Sequence, residues 1–237
     1  MPDRRVHRGP HPEDHKLFAA ACVPALRAAT HDLSWLLSRS YALPSALKVV
    51  GDRYQLTARQ RSAVVRAACA EQRAEGRKAR QLHVSALRGE TLCIDGFNVL
   101  TTLEVALSGG VLLIGLDGAM RDIAGVHGSY RRVEETQGAL DLLAHLTVEW
   151  GIARCEIYLD QPVSNSGRLR AFIEQHSWPF VVHVVPSPDS VLMQSGHIVA
   201  SADGQILDAP VRWFNLAREC VERALPHANS IDLSQPP

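Results

Sequence analysis

The sequence predicts an α/β fold with a mainly parallel sheet over residues 91–237, preceded by a small all-α basic domain over residues 1–90. Two observations carry this. Before residue 91 the apolar residues recur only at helical spacing; after it, short apolar runs alternate with amphipathic segments. That alternation is the pattern of parallel strands joined by right-handed helical crossovers. Charge divides at the same point. Residues 1–90 carry 16 Lys and Arg against 8 Asp and Glu, and residues 91–237 carry 9 against 17, so a formal net charge of zero hides a basic half and an acidic half.

The first half reads as consecutive helices. Residues 1–11 are polar and proline-containing, and are expected to be a disordered tail. His7, His11 and His15 recur four apart, but Pro10 and Pro12 lie among them, so a solvated tail is expected rather than one helical metal-binding face. Leu17, Phe18, Ala21, Val23, Leu26 and Ala29 give a helix over residues 12–30, kinked or split at Pro24. A short helix follows over 32–40 with Leu33, Trp35, Leu36 and Leu37 inward. Pro44 suits the first turn of the next, which Gly51 ends. Thr57 caps a long helix over 57–80 that carries seven Arg and Lys residues around an apolar face of Val64, Val65, Ala68 and Cys69. Its basic surface is either a solvated helix face or a grip on backbone phosphates; no helix-turn-helix or zinc-finger signature supports base reading.

The second half opens on residues 91–100, TLCIDGFNVL: a buried strand ending at Asp95, then a helix to about residue 107 that carries Glu104. Glu104 either points toward the acids or is a solvated surface residue. A second apolar run at 111–116 leads to Asp117-Gly118. Residues 119–130 show no clear period and hold Arg121, Asp122, His127 and Tyr130. An amphipathic helix follows over 132–150. CEIYLD (155–160) is a strand ending at Asp160, followed by the loop QPVSNSG and a helix at 168–176. FVVHVV (180–185) is a strand, and Asp189 opens a short helix. HIVAS (197–201) is a strand leading to Asp203-Gly204. The last helix spans about 210–225, and the tail from Pro226 is expected to be loose.

Four of these runs thus lead within two residues to Asp95, Asp117, Asp160 and Asp203, with Asp189 after the fifth. Each could be only a turn residue or helix cap. On parallel strands, however, such carboxylates converge at one sheet edge, where ligands bind in open α/β folds. Crowded carboxylates repel unless a cation compensates, and their hard oxygens suit Mg²⁺ or Mn²⁺, ions that activate water and stabilise a phosphoryl transition state. Two further features suit a phosphate. The loop Ser164-Asn165-Ser166-Gly167 precedes a helix and has Arg168 and Arg170 nearby, as a backbone cradle or as ordinary caps; Arg131 joins these as a substrate-binding candidate. His127, between two glycines, is a candidate acid or base or a solvent-facing loop residue. Trp35, Trp178 and Trp213 read as packing residues.

IDGFNVL resembles the first motif of the PIN-like nuclease fold, particularly its NYN and YacP-like branch. CEIYLD resembles that branch's strand ending in an acid, and PDSVLMQSGHIVASADGQIL its closing motif of an Asp at a helix start, then a strand into Ser-x-Asp. The resemblance covers about residues 91–225. It implies a three-layer α/β/α domain that binds Mg²⁺ or Mn²⁺ and cleaves RNA phosphodiesters. Asp95, Asp160, Asp189 and Asp203 would be the acidic ligands. Asn98 would orient one of them or its water, and Ser201 would be the polar residue before the last acid. The segment from Asp189 to Asp203 is short for that pattern, and no acid follows Asp203 until Asp208. Residues 112–132 have no counterpart, which makes Asp117 and Asp122 candidates for an added ligand. The whole arrangement is similar to a little-characterised bacterial and archaeal family in which a helical domain precedes such a half.

The expected function is a metal-dependent nuclease acting on RNA rather than DNA, with the N-terminal arginines on backbone phosphates. The alternatives are a non-catalytic RNA- or protein-binding module of the same fold and a small-molecule phosphohydrolase. No run approaches the roughly 20 apolar residues of a membrane span, and no apolar stretch follows the basic N-terminus as in a secretory signal. Five scattered cysteines without a CxxC read as reduced, mostly buried thiols in a cytoplasmic protein. Oligomeric state leaves no trace in the sequence.

Overall fold

The computed structural model describes residues 6–124 and 128–236. Five helices come first: α1 (Asp14–Leu17), α2 (Val23–Ser38), α3 (Leu43–Arg53), α4 (Ala58–Ala67) and α5 (Glu71–Arg80). Two expected helices are one in α2. Pro24 starts it, where a missing N–H leaves no bond unmade, and Thr30 donates its hydroxyl to the Leu26 carbonyl (2.8 Å) inside it rather than ending it. Trp35 lies 48 % exposed beneath Arg39 instead of facing the core. Conversely, the long helix expected over 57–80 is two. Thr57 caps α4 in a capping box with Gln60. The chain then turns extended at Ala68, because tertiary donors claim its carbonyls: Leu116 N–H reaches Ala67 O (2.8 Å) and Ser34 Oγ reaches Cys69 O (2.6 Å). Gly51 lies inside α3, not after it; a Cβ there would meet the Arg61 guanidinium at 2.4 Å.

The second half supplies β1 (Thr91–Asp95), α6 (Gly96–Leu107), β2 (Leu112–Ile114), β3 (Met120–Asp122), α7 (Glu135–Glu149), β4 (Arg154–Asp160), α8 (Ser166–Glu174), β5 (Phe180–Val185), α9 (Pro188–Met193), β6 (Ile198–Ala200), α10 (Gly204–Asp208), α11 (Leu216–Ala224) and β7 (Ser230–Asp232). The result is an α/β fold. Its principal sheet has the order β5-β4-β1-β6 and is parallel at every pairing. A smaller mixed sheet has the order β3-β2-β7, with β2–β3 antiparallel and β2–β7 parallel. The tail expected to be loose thus carries β7. Ile231 and Leu233 drive that pairing by entering one apolar cluster with Leu26, Leu33, Val64 and Leu113, which joins the N-terminal helices to the small sheet.

Side chains alternate across β1 with the strand period of two. Leu92 and Ile94 pack with α6, α7, α8 and α11 through Leu103, Leu143, Leu169 and Cys220. Cys93 faces the other way, with Leu192 of α9, Ile206 and Leu207 of α10, and Trp213. Gly96 lets α6 start hard against β4, since a Cβ there would sit 2.6 Å from Leu159 Cδ2 and 2.8 Å from the Tyr158 carbonyl. Every cysteine is unpaired, and all but half-buried Cys22 are buried.

Residues 6–11 are tied down, against the expectation of a disordered tail. Arg8 is buried and bonds Glu104 Oε2 through Nε (2.8 Å) and the Arg131 carbonyl through a terminal nitrogen (2.9 Å). Glu104, wholly buried, also accepts the hydroxyls of Tyr130 and Thr136. It therefore neither joins the strand-end acids nor meets solvent, but holds the N-terminal arm onto α6.

Candidate active site

The parallel sheet brings four of the sequence-predicted acids to one edge. Asp95 ends β1 and Asp160 ends β4. Asp189 lies in the first turn of α9, after β5, and Asp203 caps α10, after β6. Asp95 is central by strand order and is 6 % exposed. Ser201 donates its hydroxyl to Asp95 Oδ2 (2.7 Å) and accepts from the Asp203 N–H (3.0 Å), so one side chain fixes both acids. Asp203 Oδ1 accepts the N–H groups of Gln205 (2.7 Å) and Ile206 (3.3 Å). Asn98 accepts the Ala202 N–H (2.9 Å), pinning the loop after β6 to α6 rather than contacting an acid.

Burial pushes the Asp95 carboxyl up to about 7; Asp189, Asp203 and Asp160 add to the rise, and the Ser201 hydroxyl opposes it. Burial raises Asp160 as well, and it raises Asp189 together with the charges of Asp203 and Asp160. The carboxylates therefore sense one another electrostatically. Among the described residues, however, no three Asp, Glu, His or Cys side chains stand gathered as a ready-made metal cage. The donor set fits a hard divalent cation by ligand type and by unmet negative charge, and any ion would have to draw the carboxylates together.

The candidates from residues 112–132 separate. Asp117 is already neutralised. Its carboxylate meets Arg77 (2.7 Å) and both terminal nitrogens of Arg121 (2.8 and 2.6 Å). Burial opposes its ionisation, but the two guanidiniums outweigh that and hold it at about 2. It belongs to a structural ion cluster and leaves the ligand set. Asp122 accepts from Thr102 Oγ1 (3.0 Å) and the Ala124 N–H (2.7 Å), and it lines a cleft with Asn98 and Asp203. His127 lies outside the described residues.

The family model described as "Domain of unknown function (DUF5616)" matches residues 84–219. The chain belongs to the DUF5616 family. All four strand-end acids, with Asn98 and Ser201, lie within that match. A second model, "Protein of unknown function (DUF434)", matches residues 25–80. An uncharacterized protein of Methanocaldococcus jannaschii is 28 % identical over 191 residues, which cover 73 % of this chain and 91 % of the relative. No solved structure matches.

The DUF5616 segment also holds the expected phosphate loop, with its donors rearranged. Ser166 donates its hydroxyl to the Val163 carbonyl (2.6 Å) and to the Asp160 carbonyl, so it offers none to a ligand. Asn165 takes a left-handed conformation (φ 74°) and donates to the Tyr130 carbonyl (2.9 Å), and Ser164 pairs through its backbone with Ser129 and Tyr130. Arg170 is paired with Glu174 (2.8 Å). Arg131 and Arg168 instead line one hollow of about 630 Å³ beside the start of α8, joined by Arg132. Sequence reasoning missed Arg132; its signal was the Arg131-Arg132 doublet. Among the described residues, no helix is long and apolar enough to cross a membrane.

Proposed function

We propose that this protein is a metal-dependent nuclease that hydrolyses phosphodiester bonds in RNA, on a PIN-like three-layer α/β/α domain. The single observation that carries the reading is Asp95: a buried carboxyl at the end of a central parallel strand, pushed up to about 7 by burial and by three neighbouring carboxylates. Negative charge concentrated in this way is relieved by a proton or by a compensating cation. Asp95, Asp160, Asp189 and Asp203 would hold Mg²⁺ or Mn²⁺, which supplies Lewis acidity and a more acidic water. Ser201 keeps Asp95 aimed at the edge, Asn98 fixes the loop that carries Ser201 and Asp203, and the hollow that Arg131, Arg132 and Arg168 line would take substrate phosphates. The absence of a preassembled cage among the described residues favours a second reading, a non-catalytic RNA- or protein-binding module on the same scaffold.

Calorimetric Mn²⁺ titration and cleavage of labelled single-stranded RNA test the choice together. The nuclease reading expects Mn²⁺ binding below about millimolar and strand cleavage. RNA left intact across salt and pH contradicts it, and absence of Mn²⁺ binding near millimolar favours the binding module. Turnover of mononucleotides without turnover of oligonucleotides would instead indicate a small-molecule phosphohydrolase.

A further inference from the structure

A cleft of about 630 Å³ leads from the acid edge to the N-terminal helices. One wall is the edge itself, with Asn98, Ala202 and Asp203. The other carries Tyr41, from the turn between α2 and α3, Arg66 of α4 and Arg73 of α5. Tyr41 is 56 % exposed, and the exposed Leu43 also lines the cleft. Arg66 has no hydrogen-bond or ion-pair partner among the described residues. Among the described residues Arg73 meets only Asp208 (2.9 Å), in a pair whose arginine is 66 % exposed. Such exposed pairs contribute little, so a phosphate can displace the carboxylate.

Arg66 differs from the first-half arginines that carboxylates hold. Arg59, Arg61 and Arg77 are held by Asp14, Asp52 and Asp117, so part of the basic surface expected from the sequence is neutralised from within. Among the described residues, Arg66 is a cation without a carboxylate partner that lines the cleft. Cations beside an exposed aromatic ring are what an unpaired strand requires: phosphates take the cations and a base stacks on the ring. A duplex hides its base faces and would leave Tyr41 unused. A cavity of this size encloses a ligand of about drug-like bulk, comparable with one or two nucleotides.

We infer that this cleft binds a single-stranded nucleic acid, with Arg66 and Arg73 on its phosphates and Tyr41 under a base, and leads the strand toward Asp203 and Asp95. The N-terminal helices thereby form one wall of the substrate site. The direction of the strand rests on the nuclease reading; its binding is measured separately. The probe is an end-labelled single-stranded RNA of about twelve nucleotides, a length in the range such grooves cover, followed by fluorescence anisotropy with the full chain in EDTA. Tyr41→Ala is expected to weaken binding about tenfold, as loss of one stacked base does. Arg66→Gln is expected to weaken it about fivefold and to reduce the salt slope by about 0.7, as loss of one single-strand phosphate contact does. Lys48→Gln removes the same charge from α3 outside the cleft and is expected to leave affinity within about twofold.

Absence of RNA binding overturns the inference. So does equal weakening by Lys48→Gln, or a duplex of the same sequence bound as tightly as the single strand. If the strand binds through Tyr41 and Arg66 but Mn²⁺ never leads to cleavage, the nuclease reading falls and the cleft assignment stands. If Mn²⁺-dependent cleavage occurs while both variants bind RNA like the wild type, the assignment falls and the nuclease reading stands.

Discussion

Asp95→Asn is expected to abolish RNA cleavage and yet to raise the melting temperature of the metal-free protein at pH 8 by about 5 °C. The Asp95 carboxyl has a folded pKa of about 7 against a reference of 3.8. Between those values the folded state holds a proton that the unfolded state has released. Stability is therefore fully present below about pH 4, falls as pH rises toward 7, and stays low above it. At about 1.4 kcal/mol per pKa unit, the charged carboxylate at pH 8 works against folding by several kcal/mol. An amide removes that charge, and its oxygen still accepts from Ser201. Its buried NH₂ has no carboxylate counterpart and costs about 1–3 kcal/mol if unpaired. The net gain is about 1–2 kcal/mol, or roughly 5 °C for a chain of this size. At pH 4 the gain should vanish or reverse. Mn²⁺ should stabilise the wild type through binding to the folded state alone and should close the gap to the variant. Thermal melts at the two pH values, with and without Mn²⁺, read all three effects. A variant less stable than the wild type at pH 8 would show that the carboxylate is already compensated from within.

Glu104→Ala is expected to destabilise the protein by about 3 kcal/mol, a loss of about 10 °C. The Glu104 and Arg8 side chains are 0 and 2 % exposed, 2.8 Å apart, and removing one leaves the other charged and buried. The loss lies at the lower end for a broken buried pair because Arg8 belongs to a terminal arm that can leave for solvent. Tyr130 and Thr136 lose their hydroxyl acceptor at the same time. Arg8→Ala leaves Glu104 buried without its cation, and the double variant should lose less than the sum of the two. Urea unfolding measures all three. A Glu104→Ala loss below about 1 kcal/mol would mean the pair contributes no more than a surface contact.

The contrast between these two acids explains what the sequence discloses. Asp95 is legible because its signal is local: an apolar run, an acid, a glycine, then a helix. Asp203 repeats that signal and Asp160 its apolar run and acid, and parallel pairing brings these strand ends to one edge. Glu104 has only helix around it in the sequence. Its partner is 96 residues away in a polar tail, so neither its burial nor the ordering of that tail is written nearby. Asp117 follows an apolar run as Asp95 does, but its strand belongs to the small sheet, and Arg77 from α5 reaches it across 40 residues. A local pattern cannot tell an acid without a cationic partner from one already matched by arginine. The break between α4 and α5 and the strand β7 were hidden for the same reason. Both are decided by distant donors and apolar partners: Leu116 and Ser34 for the break, Leu26 and Leu113 for β7.

The central claim is that the four strand-end aspartates share a divalent cation. Anomalous diffraction from a crystal soaked in Mn²⁺ tests it most directly. The account predicts a Mn²⁺ peak within about 2.5 Å of an Asp95 oxygen and of at least one oxygen from Asp160, Asp189 or Asp203, absent from crystals of Asp95→Asn. A soaked crystal with no peak at that edge, or with Mn²⁺ only at other carboxylates, would contradict it.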